Sequence, residues 1–466
     1  MRYLLLFSLL LCLACNDEAP RTGGDADGAI TLHVSGAAPG KVVLVGQYME
    51  QQYQADTAVA DASGTVTFTP DQLDPGYYFA FYNDQTVVPL LIGDDASLSL
   101  TTEKEDVVGK AVVEGSADTE LLYESLLMES LMRPTLSKLT AHLNGTNGNG
   151  PANDPEAEAQ RDGLIAEREA FYQERFAAHP ESFFTAFKRA ELNPPIADIR
   201  TADGRPDKAA QVAAYRAAFW DNVDFSDPRL LATPVVNEKL ARYFDEFVPQ
   251  RADSVIAAAD ALLKRAEGHP DYVRALQQGI TMHFRPGYTD IMDPEAVFVH
   301  MVRNYYTREA APYMDSMQVY ALQNQAGMMD ASLVGKPAPM IKAPGADGRE
   351  KTLQSLRAPY VIVYIYNPEC DHCIEETPKL AAWTRQHRSE VDVYAIALST
   401  EDAKWKAFIK EFGIQSWTNV HDPSDQVIFR TYYVDTTPEL YLLGPDRKII
   451  GKNLTTEDLD DYVPAR

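Results

Sequence analysis

Residues Tyr360-Val361-Ile362-Val363-Tyr364-Ile365-Tyr366 form a near-continuous apolar run, followed by Cys370-Asp371-His372-Cys373 and then a helical pattern. The run reads as a strand buried on both faces. A strand, a C-x-x-C pair and a helix in that order define a redox setting within an α/β layer. Unpaired backbone N–H groups and the positive dipole end at the helix start favour an anion. Helix starts lower a thiol's pKa from about 8.5 to about 3.5–7.5, so Cys370 is the expected attacking thiolate. Cys373, one turn later, faces inward and resolves the mixed disulfide.

The surrounding pattern extends this layer. Val391 to Leu398 reads as a second buried strand and Glu401 to Phe412 as a helix. Glu439 to Leu443, the turn Gly444-Pro445-Asp446 and Lys448 to Ile450 read as a hairpin, and Glu457 to Tyr462 as a closing helix. The result is a βαβ unit followed by ββα, assigned to residues 333–466.

At roughly 100–200 residues per domain, 466 residues predict two to four domains. In 29–115, Ile30, Leu32 and Val34 alternate with polar residues, as do Val66 and Phe68, and Leu98 and Leu100. Short apolar runs at Val42–Val45 and Val87–Ile92 are separated by turn signals such as Pro39-Gly40, Ser63-Gly64 and Pro75-Gly76. That spacing predicts a β-sandwich. Residues 116–332 read as helical. Tyr123, Leu127 and Leu131 share a helix face, as do Ile165, Tyr172 and Phe176, and both stripes read as core. Asp154-Pro155 and Asp293-Pro294 look like helix starts, Asp253 begins another helix, and Gly268-His269-Pro270 ends it.

The N-terminus reads as a targeting segment over residues 1–14. Arg2 is followed by an apolar stretch from Leu4 to Leu13, too short to span a membrane. Ala14-Cys15 resembles a bacterial lipobox, although Cys12 stands where Leu is usual. The resemblance implies cleavage before Cys15 and lipidation of Cys15; the alternative is an ordinary cleaved signal. Residues 16–28 form an acidic tether, which resembles the surface-export signal of Bacteroidota lipoproteins and also fits a plain solvated linker. With Cys12 removed and Cys15 lipidated, Cys370 and Cys373 are the two thiols left of the four cysteines. In an oxidising compartment they form one redox pair.

A net charge of −26 gives no support to nucleic-acid binding. Structural zinc takes four ligands, and there is no second Cys pair. The site is therefore expected to hold no metal and no cofactor beyond the redox-active Cys370–Cys373 disulfide. An inert structural disulfide stays open, although so short a loop adds little stability.

The last 130 or so residues resemble the TlpA/ResA-type thioredoxin-like family. Gly335-Lys336-Pro337-Ala338-Pro339, then Asp347-Gly348, Leu353 and Leu356, match the segment leading into its core strand. Asn367 to Cys373 matches its active-site loop, and Pro378 its helix-kinking proline. The resemblance implies that Glu376 assists proton transfer, and that Thr437-Pro438 is a cis bond contacting substrate backbone. Glu369 departs from the usual Trp, and Tyr364 replaces the buried Asp of ordinary thioredoxins. A His before the second Cys, here His372, makes oxidising relatives more oxidising, while Asp371 opposes that. The β-domain and helical spacer resemble those of Bacteroidota thioredoxin-like lipoproteins.

Together these imply an enzyme of three domains. It is a lipid-anchored thiol–disulfide oxidoreductase of the cell envelope, on the outer membrane at its periplasmic or surface face. It exchanges disulfides with exported protein substrates, with reduction the expected role and the direction left open by Asp371 and His372, and a membrane electron donor is an implied partner. Two rivals remain. A peroxidase needs Thr or Ser three residues before its Cys and Pro seven before, where this chain has Asn367 and Val363. A binding scaffold with a redox-silent thioredoxin fold is the other.

Overall fold

The computed structural model describes residues 29–69, 73–94, 97–145, 153–287, 289, 291–421, 428, 431–434 and 436–464. The expected signal segment, Cys15 and the tether lie outside them. The chain forms two compact units, one ending at Ala178 and the other starting at His179, with Gln47–Gln52 counted in the second.

Among the described residues of the first unit, eight strands build two four-stranded sheets. They are β1 (Ile30–Ser35), β2 (Gly40–Tyr48), β3 (Gln51–Ala60), β4 (Thr65–Phe68), β5 (Gly76–Tyr82), β6 (Val87–Ile92), β7 (Leu98–Glu103) and β8 (Val112–Glu114). The sheet orders are β4-β1-β7-β8 and β3-β2-β5-β6. Alternation turns Ile30, Leu32 and Val34 inward, against Leu44, Tyr78 and Leu90. Two helices belong to the same unit: α1 (Ala117–Leu143) and α2 (Pro155–Ala178). Strands give way to helices between Glu114 and Ala117, and both fall in one compact unit. Tyr123 of α1 packs into the sandwich core, which explains the grouping. The α1 stripe is only partly core, since Leu127 is 40% and Leu131 71% exposed. Asp154 does start α2, accepting a bond from the Ala157 N–H.

Among the described residues of the second unit, seven α-helices precede the α/β layer: α3 (Phe183–Glu191), α4 (Lys208–Ala218), α5 (Pro234–Arg242), α6 (Ala252–Arg265), α7 (Pro270–His283), α8 (Pro294–Tyr305) and α9 (Ser316–Met329). Asp293 is the N-cap residue of α8 as expected, but its side chain makes no capping bond. It adopts φ 59° and ψ 55°, and its carboxylate accepts from the Val334 N–H instead.

A small antiparallel pair, β9 (Lys342–Pro344) and β10 (Glu350–Thr352), leads into the layer. There follow β11 (Tyr360–Tyr366), α10 (Asp371–Gln386), β12 (Val391–Ala397), α11 (Asp402–Glu411), β13 (Thr418–His421), β14 (Glu439–Leu443) and β15 (Ile449–Gly451). The sheet order is β13-β12-β11-β14-β15, with β11 parallel to β12 and antiparallel to β14. β11 is central, which is why its run is apolar on both faces. Ile362, Tyr364 and Tyr366 enter the core that holds Cys373, while Val361, Val363 and Ile365 enter the opposite one. The closing helix expected at 457–462 is a 3-10 turn, Glu457–Asp461. Among the described residues no helix is long and apolar enough to cross a membrane.

Candidate active site

β11 delivers the chain to a turn at the edge of the core. The Cys370 N–H donates to the Asn367 carbonyl at 3.1 Å, and the Glu369 N–H donates to the Asn367 side chain at 2.9 Å. Cys370 is the N-cap of α10 and is half-buried, whereas Cys373 is fully buried; both are free thiols. The two sulfurs thus stand in different environments although they share one helical turn.

The Thr437–Pro438 bond is cis. This loop precedes β14, the neighbour of β11, so the sheet itself carries it to the cysteines. The Cys370 thiol donates to the Thr437 carbonyl at 3.2 Å.

The two thiols titrate in opposite directions. Burial pushes Cys370 up, but donors from the Cys373 N–H and thiol, Thr437 and the His372 N–H together hold it below the usual thiol value. Burial dominates for Cys373 and pushes it up to about 12. At neutral pH Cys370 is the thiolate source and Cys373 stays protonated. We predict that iodoacetamide labels Cys370 of the reduced protein at pH 6–7, faster than a free thiol of pKa about 8.5 at that pH. Cys373 is expected to resist until the protein unfolds. Mass mapping of the two sites checks this, and comparable labelling of both would contradict it.

Tyr364 and Thr377 lock the second cysteine's backbone. The Thr377 hydroxyl donates to the Cys373 carbonyl at 2.7 Å, leaving its oxygen to accept from the Tyr364 hydroxyl at 2.9 Å. Tyr364 also stacks on Tyr366 at 5.3 Å. Where ordinary thioredoxins keep a buried acid, this chain has a neutral donor in a satisfied chain. Thr377 was missed in the sequence, although it lies at i+4 from Cys373, the spacing for a back-bond in a helix.

The Glu376 carboxylate accepts from the Thr456 N–H at 2.7 Å and from the Thr456 hydroxyl, and pairs with Lys379 at 3.3 Å. Burial raises its pKa, but these bonds outweigh burial and leave it below the ordinary Glu value of 4.5. Tyr364 is electrostatically coupled to both Cys373 and Glu376, so the three share one neighbourhood. A lowered carboxylate pKa stabilises the fold above the unfolded value, and that stability is lost as pH falls through the folded one. Glu376→Ala is therefore expected to cost about 1–3 kcal/mol at pH 7, as for hydrogen bonds to a charged group. The deficit should shrink below about pH 4.5, and Glu376→Gln, which keeps an acceptor, should cost less. Urea titrations at pH 7 and pH 3.5 check both points.

Asp371 and His372 are exposed on the first turn of α10. Glu369, in the place of the usual Trp, pairs with Lys404 of α11 at 2.6 Å. That pair joins residues 35 apart and had no local sequence signal.

Residues 334–452 match the AhpC/TSA family. The C-terminal part of the chain is an AhpC/TSA-type thioredoxin-like domain, and it carries the free thiols Cys370 and Cys373. The chain is 32% identical over 93 residues to probable nucleoredoxin 1 of Arabidopsis thaliana; the match takes in 19% of this chain and 16% of that relative. A thioredoxin-like protein from Bacteroides caccae is 20% identical, with TM-score 0.49, covering 58% of this chain and 96% of the other. A domain of a possible thiol-disulfide isomerase from Cytophaga hutchinsonii is 36% identical, with TM-score 0.27, covering 28% and 90%.

Proposed function

We propose that this protein is a TlpA/ResA-type thiol–disulfide oxidoreductase that reduces disulfides in exported proteins. The observation that carries the reading is the inequality of the cysteine pair. One thiol is half-buried at a helix start and easily ionised, and the other is buried and held protonated beside it.

The exchange follows from that inequality. The Cys370 thiolate attacks a substrate disulfide, forming a mixed disulfide and releasing one substrate sulfur as thiolate, which takes up a proton. Cys373 then loses its proton and attacks the Cys370 sulfur. The second substrate sulfur leaves as thiolate and takes up a proton, and the pair is oxidised by two electrons. Thr437 lies against Cys370, and in this scheme its cis bond to Pro438 presents backbone to the substrate segment. Glu376, ionised, is the proton acceptor of this scheme, and Tyr364 is the group it shares with Cys373. Asp371 and His372 tune the potential through their charges. No cofactor is invoked beyond the Cys370–Cys373 disulfide.

In this reading Cys15 carries lipid and anchors the protein in the bacterial envelope, at the outer membrane. A membrane partner restores the dithiol. The donors that hold the Cys370 thiolate are neutral and Asp371 lies next to it, so its stabilisation is limited. We therefore expect a potential near that of thioredoxin, about −270 mV, rather than about −120 mV as in a strong oxidant. Equilibration with glutathione and dithiothreitol buffers measures it, and a value near −120 mV would reverse the assigned direction. A peroxidase is disfavoured by Asn367 and Val363 at the two positions its motif requires, and an assay of peroxide consumption separates the readings.

A further inference from the structure

The hairpin of α1 and α2 leaves one long face uncovered. Of the 24 residues of α2, only Ala157, Tyr172 and Phe176 are buried. From Leu126 to His142, α1 buries none, although this stretch carries five leucines and two methionines. Helices owe most of their stability to tertiary burial of an apolar face, which this pair lacks. A groove of about 450 Å³ runs along the hairpin, lined by Leu127, Met128, Leu131 and Met132 of α1 and by Leu164 and Phe171 of α2. Contiguous apolar surface of this kind marks an interaction site.

The charges on α1 select the occupant. At 3.6 residues per turn, Glu120, Glu124, Lys138 and His142 all lie within about 20° of Leu131 around the helix axis. This stripe is acidic on the N-terminal side of Leu131 and basic on the C-terminal side. Its spacing is symmetric, with Glu124 and Lys138 seven residues from Leu131, and Glu120 and His142 eleven. A second α1 laid antiparallel across Leu131 therefore sets Glu124 against Lys138 and Glu120 against His142, each pair occurring twice. A parallel arrangement sets like charge against like. Such self-complementarity is what an interface between identical surfaces on a two-fold axis requires. Lys138 is exposed and pairs with no carboxylate among the described residues. Glu124 shares the Arg175 guanidinium with Glu174, at 3.1 and 3.0 Å, so one cation serves two carboxylates. His142 is paired with Asp154 in its own chain, which leaves Glu124 and Lys138 as the pair that sets direction.

We propose that the α1–α2 hairpin is a dimer interface, in which a second copy of this chain lays its α1 antiparallel across the groove and completes a four-helix bundle. The apolar groove supplies the affinity. The charged ends supply the orientation, because exposed ion pairs add little affinity but exclude wrong arrangements. The inference concerns the first compact unit and is independent of the exchange reaction assigned above.

The test uses the chain from Asn16 to Arg466, which keeps every described residue and carries no lipid. Light scattering after gel filtration is expected to give twice the chain mass, and sedimentation equilibrium a Kd of about 10 μM or tighter. Leu131→Glu puts two carboxylates at the axis and should raise Kd at least about tenfold. Leu131 is 71% exposed, so this variant should keep its fold, which circular dichroism checks. Direction is read by disulfide trapping in a Cys370→Ser, Cys373→Ser background, because Cα atoms more than about 7 Å apart cannot be bridged. Leu131→Cys should cross-link to its own copy. Glu124→Cys and Lys138→Cys chains should cross-link when mixed, and neither alone. A monomer at concentrations well above that Kd, a dimer untouched by Leu131→Glu, or cross-linking of Glu124→Cys to itself overturns the proposal. A monomer that instead captures phospholipid vesicles or unfolded protein through Leu131 gives the groove to another occupant, and overturns it as well.

Discussion

Replacing Cys370 by Ser is expected to lower catalysed disulfide reduction by about a thousandfold or more, to the rate of the reductant alone. A serine hydroxyl is not ionised at neutral pH, so neither the helix start nor the surrounding donors can make it a competent nucleophile. Cys373→Ser should behave differently. Cys370 still attacks, but nothing resolves the mixed disulfide, so a covalent complex with the substrate accumulates. This asymmetry follows from burial: Cys373 has no exposed sulfur with which to replace its partner. Insulin reduction with dithiothreitol measures the first effect, and non-reducing gels of each variant with a disulfide substrate measure the second. If Cys370→Ser reduces insulin as fast as the wild type, the pair is redox-silent and the scaffold reading stands. Trapping by Cys370→Ser rather than Cys373→Ser would exchange the two roles.

The redox pair was legible because its determinants are local. A strand buried on both faces must be apolar throughout, and β11 is. The helix start that activates Cys370 is a matter of order along the chain. The sandwich was legible for the same reason, since strand alternation is written into neighbouring residues. What was hidden depends on partners distant in sequence. Tyr123, Leu127 and Leu131 do share a face of α1, yet periodicity cannot say which of them another element covers. Asp293 looked like a cap because Asp-Pro is a common helix start, but its carboxylate is taken by Val334, 41 residues on. Glu376 lies at helical spacing from Cys373, but its bonds to Thr456, 80 residues away, had no local signal. Side-chain orientation of this kind is fixed by tertiary packing, which a helix pattern does not contain.

The second large effect is expected at Lys452. Its side chain is 1% exposed and pairs with Glu295, with Asp293 close behind. Removing one partner of a buried ion pair leaves the other charged and unsolvated, at a cost of about 3–5 kcal/mol. Lys452→Met keeps most of the volume and deletes the charge, so it isolates this electrostatic loss from a cavity effect. The pH dependence gives the mechanism a signature. Burial pushes Asp293 up to about 6, ahead of the opposing pull of Lys452, from an ordinary value of 3.8. For a carboxylate raised by folding, the native state holds the extra proton between those two values. Stability from this group is therefore greater on the acid side, and is lost as pH rises from about 4 to about 6. Without the lysine, only the Val334 N–H still opposes burial, so Asp293 should titrate higher and the variant's deficit should be larger at pH 7.5 than at pH 5. Urea unfolding at the two pH values measures it. A deficit below about 1 kcal/mol at pH 7.5 would mean that water reaches the carboxylates, since exposed pairs contribute only that much. A deficit equal at both pH values would instead assign the loss to packing around Tyr441, whose ring lies 5.6 Å from the ammonium.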